Sequence, residues 1–98
     1  MFQFPRTKFV DENTFKQQLR HLKSEVREVK KAKTRRDKIG ELWDVIHSAE
    51  TAIRMLMNEE QESMDKACGT PINDWGYSVA KAEKEHVEQK NRECGYYD

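Results

Sequence analysis

Apolar residues recur along most of the chain at alternating spacings of three and four. Phe15, Leu19, Leu22, Val26 and Val29 form one such seam, and Ile39, Leu42, Ile46, Ala49, Ile53 and Leu56 form another. Both rhythms line their apolar side chains along one stripe of an α-helix. The first seam predicts a helix over residues 12–33 with Asp11 as its N-cap. The second predicts a helix over residues 34–67, opened by the Thr34 hydroxyl with Asp37 placed as in a capping box. Cys68-Gly-Thr-Pro71 then breaks the rhythm. Asn73 or Asp74 caps a third helix ending near Cys94, with Gly95 at its C′ position. Val79, Ala82 and Val87 are its main apolar candidates.

Almost nothing separates the first two helices, so they fold back on each other as an antiparallel hairpin. At ~1.5 Å per residue the second is roughly 50 Å long and overshoots the first by about ten residues. The overshoot carries Met55, Leu56, Met57 and Met64, which have little to bury against in one chain. The expected fold is all-α: a long antiparallel helical hairpin plus a third helix, completing a four-helix bundle by dimerisation. It forms one domain over residues 1–98, with an N-terminal extension at 1–10 and a C-terminal tail at 95–98. Composition agrees, because 36% hydrophobic residues against 37% charged ones make a thin core for a monomer.

Eighteen Lys and Arg balance eighteen Asp and Glu. A net charge of zero argues against stable nucleic-acid binding, which draws on an excess of cations. No apolar run approaches the ~20 residues of a membrane span, and residues 1–10 lack a signal-peptide core. A soluble, cytoplasmic protein is expected. Cys68 and Cys94 fall near opposite ends of the third helix, ~30 Å apart by helical rise, and are expected as free thiols.

The charges are not evenly spread. Glu25 and Glu28 lie three apart near the end of the first helix, and Glu41 and Asp44 three apart near the start of the second. In an antiparallel hairpin Glu28 faces Glu41 and Glu25 faces Asp44, giving two carboxylate rungs about one turn apart. Four such charges repel unless a divalent cation with oxygen ligands sits among them. Acidic residues on a helix ordinarily mark a solvated face. Here, however, no Lys or Arg occurs between Ile39 and Ile53, and Gly40, Ser48, Thr51 and Ala52 around Asp44 are small. That face reads as the wall of a site.

The pattern Glu25-x-x-Glu28, a twelve-residue spacer, then Glu41-x-x-Asp44 resembles the signature of the MazG-type all-α nucleotide pyrophosphohydrolases, EExxE followed by ExxD. The string Gly40-Glu41-Leu42-Trp43-Asp44-Val45-Ile46 is similar to its usual context. The resemblance implies that Glu25, Glu28, Glu41 and Asp44 bind Mg²⁺, with Mn²⁺ as a substitute, and act catalytically. It also implies hydrolysis of a ribo- or deoxynucleoside triphosphate to monophosphate and pyrophosphate, in nucleotide-pool control or sanitation, by a homodimer or homotetramer. One position departs: the first acid of EExxE is Ser24, which bears on the metal count and the rate.

Acidic ligands do not hold a polyanion by themselves. By the same resemblance, Lys90, Asn91 and Tyr96 in the C-terminal string are the substrate-binding candidates, although basic residues in a last helical turn also complement its dipole. Trp75 is the likelier nucleobase contact of the two tryptophans, Trp43 fitting a core or an interface. The basic tip formed by Lys30, Lys31, Lys33, Arg35, Arg36 and Lys38 either steers a triphosphate or is simply solvated. Asp44-x-x-His47 and Glu83-x-x-His86 do not complete a di-iron set. A non-catalytic helical dimer, serving as an adaptor or a nucleotide-binding relic, is the alternative function.

Overall fold

The computed structural model describes residues 1–97. Four helices follow one another: α1 (Phe9–Glu12), α2 (Phe15–Lys31), α3 (Arg35–Cys68) and α4 (Trp75–Glu93). No strand occurs among the described residues, so the all-α class holds. The chain divides into two compact units, Met1–Leu56 and Met57–Asp98, and α3 contributes residues to each.

In the first unit, α2 begins at Phe15, the first residue of its apolar seam, and not at residue 12. Thr14 is its N-cap: the hydroxyl accepts from the Gln17 N–H at 3.1 Å, and the Gln17 side chain accepts from the Thr14 N–H at 2.8 Å. This reciprocal box satisfies two donors that a helix start otherwise leaves unpaired. Asn13 is extended and separates α2 from the single turn α1. Asp11 therefore caps nothing and instead pairs with Arg6 at 2.6 Å. The exit is short, since Ala32 is already extended and α3 starts at Arg35. Thr34 opens α3 as expected, its hydroxyl accepting from the Asp37 N–H at 3.0 Å.

The antiparallel pairing of α2 and α3 is visible in two contacts. The Gln18 side-chain amide donates to the Ser48 carbonyl and hydroxyl, both at 3.0 Å. Seven residues further along α2, Glu25 meets Glu41, which lies seven residues back along α3 from Ser48. One heptad forward thus matches one heptad backward, as an antiparallel hairpin requires.

The packed face of α3 is not its apolar seam. Ser48, Glu50, Thr51, Ala52 and Met55 are buried, whereas Ile39, Leu42, Ile46, Ile53 and Leu56 are all at least 39% exposed. Of the four small residues, Ser48, Thr51 and Ala52 are thus core and not the wall of a site, because close approach to Gln18 and to the N-terminal segment requires short side chains, while Gly40 is exposed. Thr7 and Thr51 hydroxyls meet at 3.2 Å. Met55, expected to lack cover, is buried within the chain.

In the second unit, Gln61 and Asp65 organise the turn between α3 and α4. Asp65 accepts from the Ile72 N–H at 2.7 Å and from the Gln61 amide at 2.9 Å. The Gln61 amide also donates to the Ile72 carbonyl, and its oxygen accepts from the Gly76 N–H at 2.9 Å. Asp74 stands at the start of α4 with φ 55° and no side-chain cap bond. At the other end Gly95 takes the expected C′ position at φ 75°. Its N–H reaches the Arg92 carbonyl and that of Tyr96 reaches Asn91, the paired bonds of a Schellman motif. Cys68 and Cys94 are free and exposed.

Two glycines behave oppositely. A Cβ at Gly76 would collide with the Met57 carbonyl, while one at Gly40 meets nothing within 4 Å. Gly76→Ala is expected to destabilise the protein by about 1–3 kcal/mol through overpacking. Gly40→Ala should stabilise it by about 0.5–1 kcal/mol, the ordinary gain at an open helix position. Urea denaturation of both variants checks the pair.

Candidate metal centre

The register pinned by Gln18 delivers three carboxylates to one place. Glu25 comes from α2, and Glu41 and Asp44 from successive turns of α3. One carboxylate oxygen from each lies within 4.8 Å of those of the other two. Glu25 and Glu41 are half-buried and Asp44 is exposed. Among the described residues none of the three pairs with Lys or Arg. The basic neighbour is His21, whose Nε2 lies 3.2 Å from Glu25 Oε1 one turn earlier on α2.

Glu28, the fourth expected ligand, is not gathered with the others. Its side chain is largely exposed and lies 3.6 Å from Lys31 Nζ. It still belongs to the local field. Loss of hydration pushes the Glu41 carboxyl above its ordinary range, and repulsion from Asp44, Glu25, Glu28 and Asp37, in that order, adds to the effect. Glu41 therefore holds its proton more tightly in the folded than in the unfolded chain. Its contribution favours folding at pH values below its raised pKa and is lost as pH rises through it.

The substrate-binding candidates all belong to the second unit. Lys90 is exposed near the end of α4, Asn91 is half-buried, and Tyr96 is 73% exposed. Trp75 opens the same helix, half-buried, with a buried indole N–H that has no hydrogen-bond partner. Fifteen residues of helix separate Trp75 from Lys90, about 22 Å of rise, so the structure does not bring these two together. The basic residues of the hairpin tip are exposed.

The N-terminal segment is the feature that periodicity missed. Glu50 is buried and accepts from the main-chain N–H groups of Gln3 at 2.8 Å and Phe4 at 3.0 Å. Arg54 donates to the Phe4 carbonyl at 2.8 Å. The Phe4 ring stacks on His47 at 4.5 Å and meets Trp43 edge-on at 5.9 Å. A carboxylate in a lysine-free run was the one available signal, but main-chain donors leave no mark in a sequence.

No family model, curated protein or solved structure matches the chain.

What the centre can do follows from its donors. Three carboxylates held close together without a cationic side chain suit a hard cation with oxygen ligands, Mg²⁺ or Mn²⁺, better than a soft metal. At free metal about a hundredfold above the dissociation constant, binding adds about 2.7 kcal/mol to stability. Mg²⁺ or Mn²⁺ should therefore raise the melting temperature in thermal unfolding. Glu41→Gln should raise it without metal at neutral pH, by relieving the repulsion, and abolish the response to metal. An undiminished metal response in that variant would remove Glu41 from the centre.

Proposed function

We propose that the chain is a Mg²⁺-dependent nucleotide pyrophosphohydrolase of MazG-like type, converting a ribo- or deoxynucleoside triphosphate to monophosphate and pyrophosphate. The observation that carries this reading is the three-carboxylate cluster of Glu25, Glu41 and Asp44 across the hairpin. Bound there, Mg²⁺ supplies charge neutralisation for phosphate oxygens and lowers the pKa of a bound water. Glu25, Glu41 and Asp44 hold the ion, His21 orients Glu25, and Glu28 adds negative charge beside them. A carboxylate of the set accepts the proton of the attacking water.

The assembly proposed is a homodimer, and the outward apolar seam supports it. Ile39, Leu42, Ile46 and Ile53 run along one stripe of α3 within the first unit, each at least 39% exposed. Solvated apolar stripes of this kind are the usual mark of helix association. A second copy is expected to cover this one and complete a four-helix bundle.

Two experiments test these readings. A panel of nucleoside triphosphates with Mg²⁺ should yield pyrophosphate and monophosphate, and Glu41→Ala should reduce turnover at least ~100-fold. No turnover with any nucleotide, in Mg²⁺ or Mn²⁺, would leave the helical adaptor as the better reading. In sedimentation the protein should run as a dimer and Ile53→Lys as a monomer, since a lysine in the seam would be buried without a partner.

A further inference from the structure

The cradle that holds the N-terminal segment has more hydrogen-bonding capacity than the segment uses. Glu50 presents a buried carboxylate to two adjacent N–H donors, and Arg54 presents its guanidinium to one carbonyl oxygen. The second guanidinium nitrogen, Nη1, is buried without a hydrogen-bond partner, the guanidinium lying over the Phe2 ring at 4.1 Å, and Nε2 of His47 is likewise without one. Unpaired buried donors are unfavourable. Beside them the Phe4 ring lies flat on the His47 imidazole, with interplanar angle 17°. The cradle therefore accepts, in order, two donors, one acceptor and a flat ring.

Among the common nucleobases, guanine alone offers that order along one edge. Its N2–H and N1–H are adjacent donors suited to a carboxylate, and O6 follows as the acceptor. Its N7 then lies beside O6, and a guanidinium fork reads the two together. The group that the segment leaves unpaired, Arg54 Nη1, is the one that N7 would satisfy. Adenine turns an N1 lone pair towards the carboxylate, as cytosine does with N3. Uracil and thymine offer one donor flanked by carbonyls.

We propose that Glu50, Arg54 and His47 form a guanine-binding cradle, and that the segment Phe2–Phe4 occupies it as a displaceable mimic of the base, with Phe2 over the Arg54 guanidinium. His47 and Glu50 lie roughly 5 and 9 Å of rise along α3 from Asp44 and are turned about 60° and 120° around the helix from it, so the cradle and the acidic cluster occupy different faces of the same stretch of α3. The guanine triphosphate thereby named as substrate rests on the pyrophosphohydrolase reading; the cradle itself does not.

The test is metal-free binding of guanosine monophosphate against adenosine monophosphate to the full chain, read by calorimetry and by amide exchange at Gln3 and Phe4. The guanine nucleotide should bind about tenfold tighter or more, and should speed exchange at those two amides by displacing them from Glu50. Phe4→Ala, which weakens the competing segment, should tighten its binding about threefold or more, because a larger fraction of the cradle is open. Glu50→Gln should erase the preference for guanine. Arg54→Lys, which keeps the charge but not the fork, should weaken it. Equal binding of the two nucleotides, no binding to the full chain or to Phe4→Ala, unchanged exchange at Gln3 and Phe4, or a preference that survives in Glu50→Gln would each overturn the proposal. Guanine selectivity without any triphosphate turnover would leave the cradle standing and sink the hydrolase reading alone.

Discussion

Gln18 is 2% exposed and spends its amide on the Ser48 carbonyl and hydroxyl, while its oxygen accepts from Asn13 at 3.3 Å. A slip of α2 against α3 would leave these groups buried and unpaired, at a cost of about 1–3 kcal/mol for each. An apolar pair in the same place would tolerate small slips, because dispersion contacts have no fixed direction. The hydrogen bonds therefore set the register, and the register decides which acids meet. Shifted by one residue, Glu25 would rotate away from Glu41 and Asp44 by about a quarter of a turn.

The faces of α3 divide labour within the first unit. Ser48, Thr51 and Ala52 are short enough for α2 and the N-terminal segment to approach. Glu41 and Asp44 project near the start of the helix, towards Glu25. Glu50 and Arg54 grip the main chain of the N-terminal segment. The seam of large apolar residues is what remains, and it is solvated in the single chain. Such an arrangement buries little hydrocarbon, with Val10, Ala52 and Met55 the buried apolar residues among those described. Polar contacts fix the geometry and leave the apolar stripe free for association.

A zero net charge conceals a segregation with physical consequences. Basic residues crowd the hairpin tip, while the run from Ile39 to Ile53 carries none. Cations at the tip are exposed and none pairs with Glu25, Glu41 or Asp44 among the described residues, so they relieve the repulsion only weakly through screening solvent. Loss of hydration, and after it that repulsion, raise the pKa of Glu41. A folded chain that keeps like charges together sacrifices stability, and a cation among them restores it.

The local signals were legible where a few neighbouring residues suffice to satisfy the backbone. Thr34 opens α3 and Gly95 closes α4 as their positions imply. Thr14 and Gln17 form an equally local capping box directly ahead of the first apolar seam, three residues beyond the Asp11 cap that a helix over 12–33 implies. The spacing of the acids, with a tight antiparallel turn between them, was enough to bring Glu25, Glu41 and Asp44 together, since helical rise is constant. It was not enough for Glu28, whose side chain turns to Lys31 at the surface. By itself the sequence determined the three long helices and the antiparallel direction of the first two, because these follow from periodicity and a short turn; the expected rungs Glu28–Glu41 and Glu25–Asp44 gave way to a register in which Glu25 meets Glu41. Only the tertiary structure decided which face of α3 is packed. Gln18 and the N-terminal segment come from distant parts of the chain, and their partners on Ser48, Glu50 and Arg54 include main-chain atoms that every residue possesses.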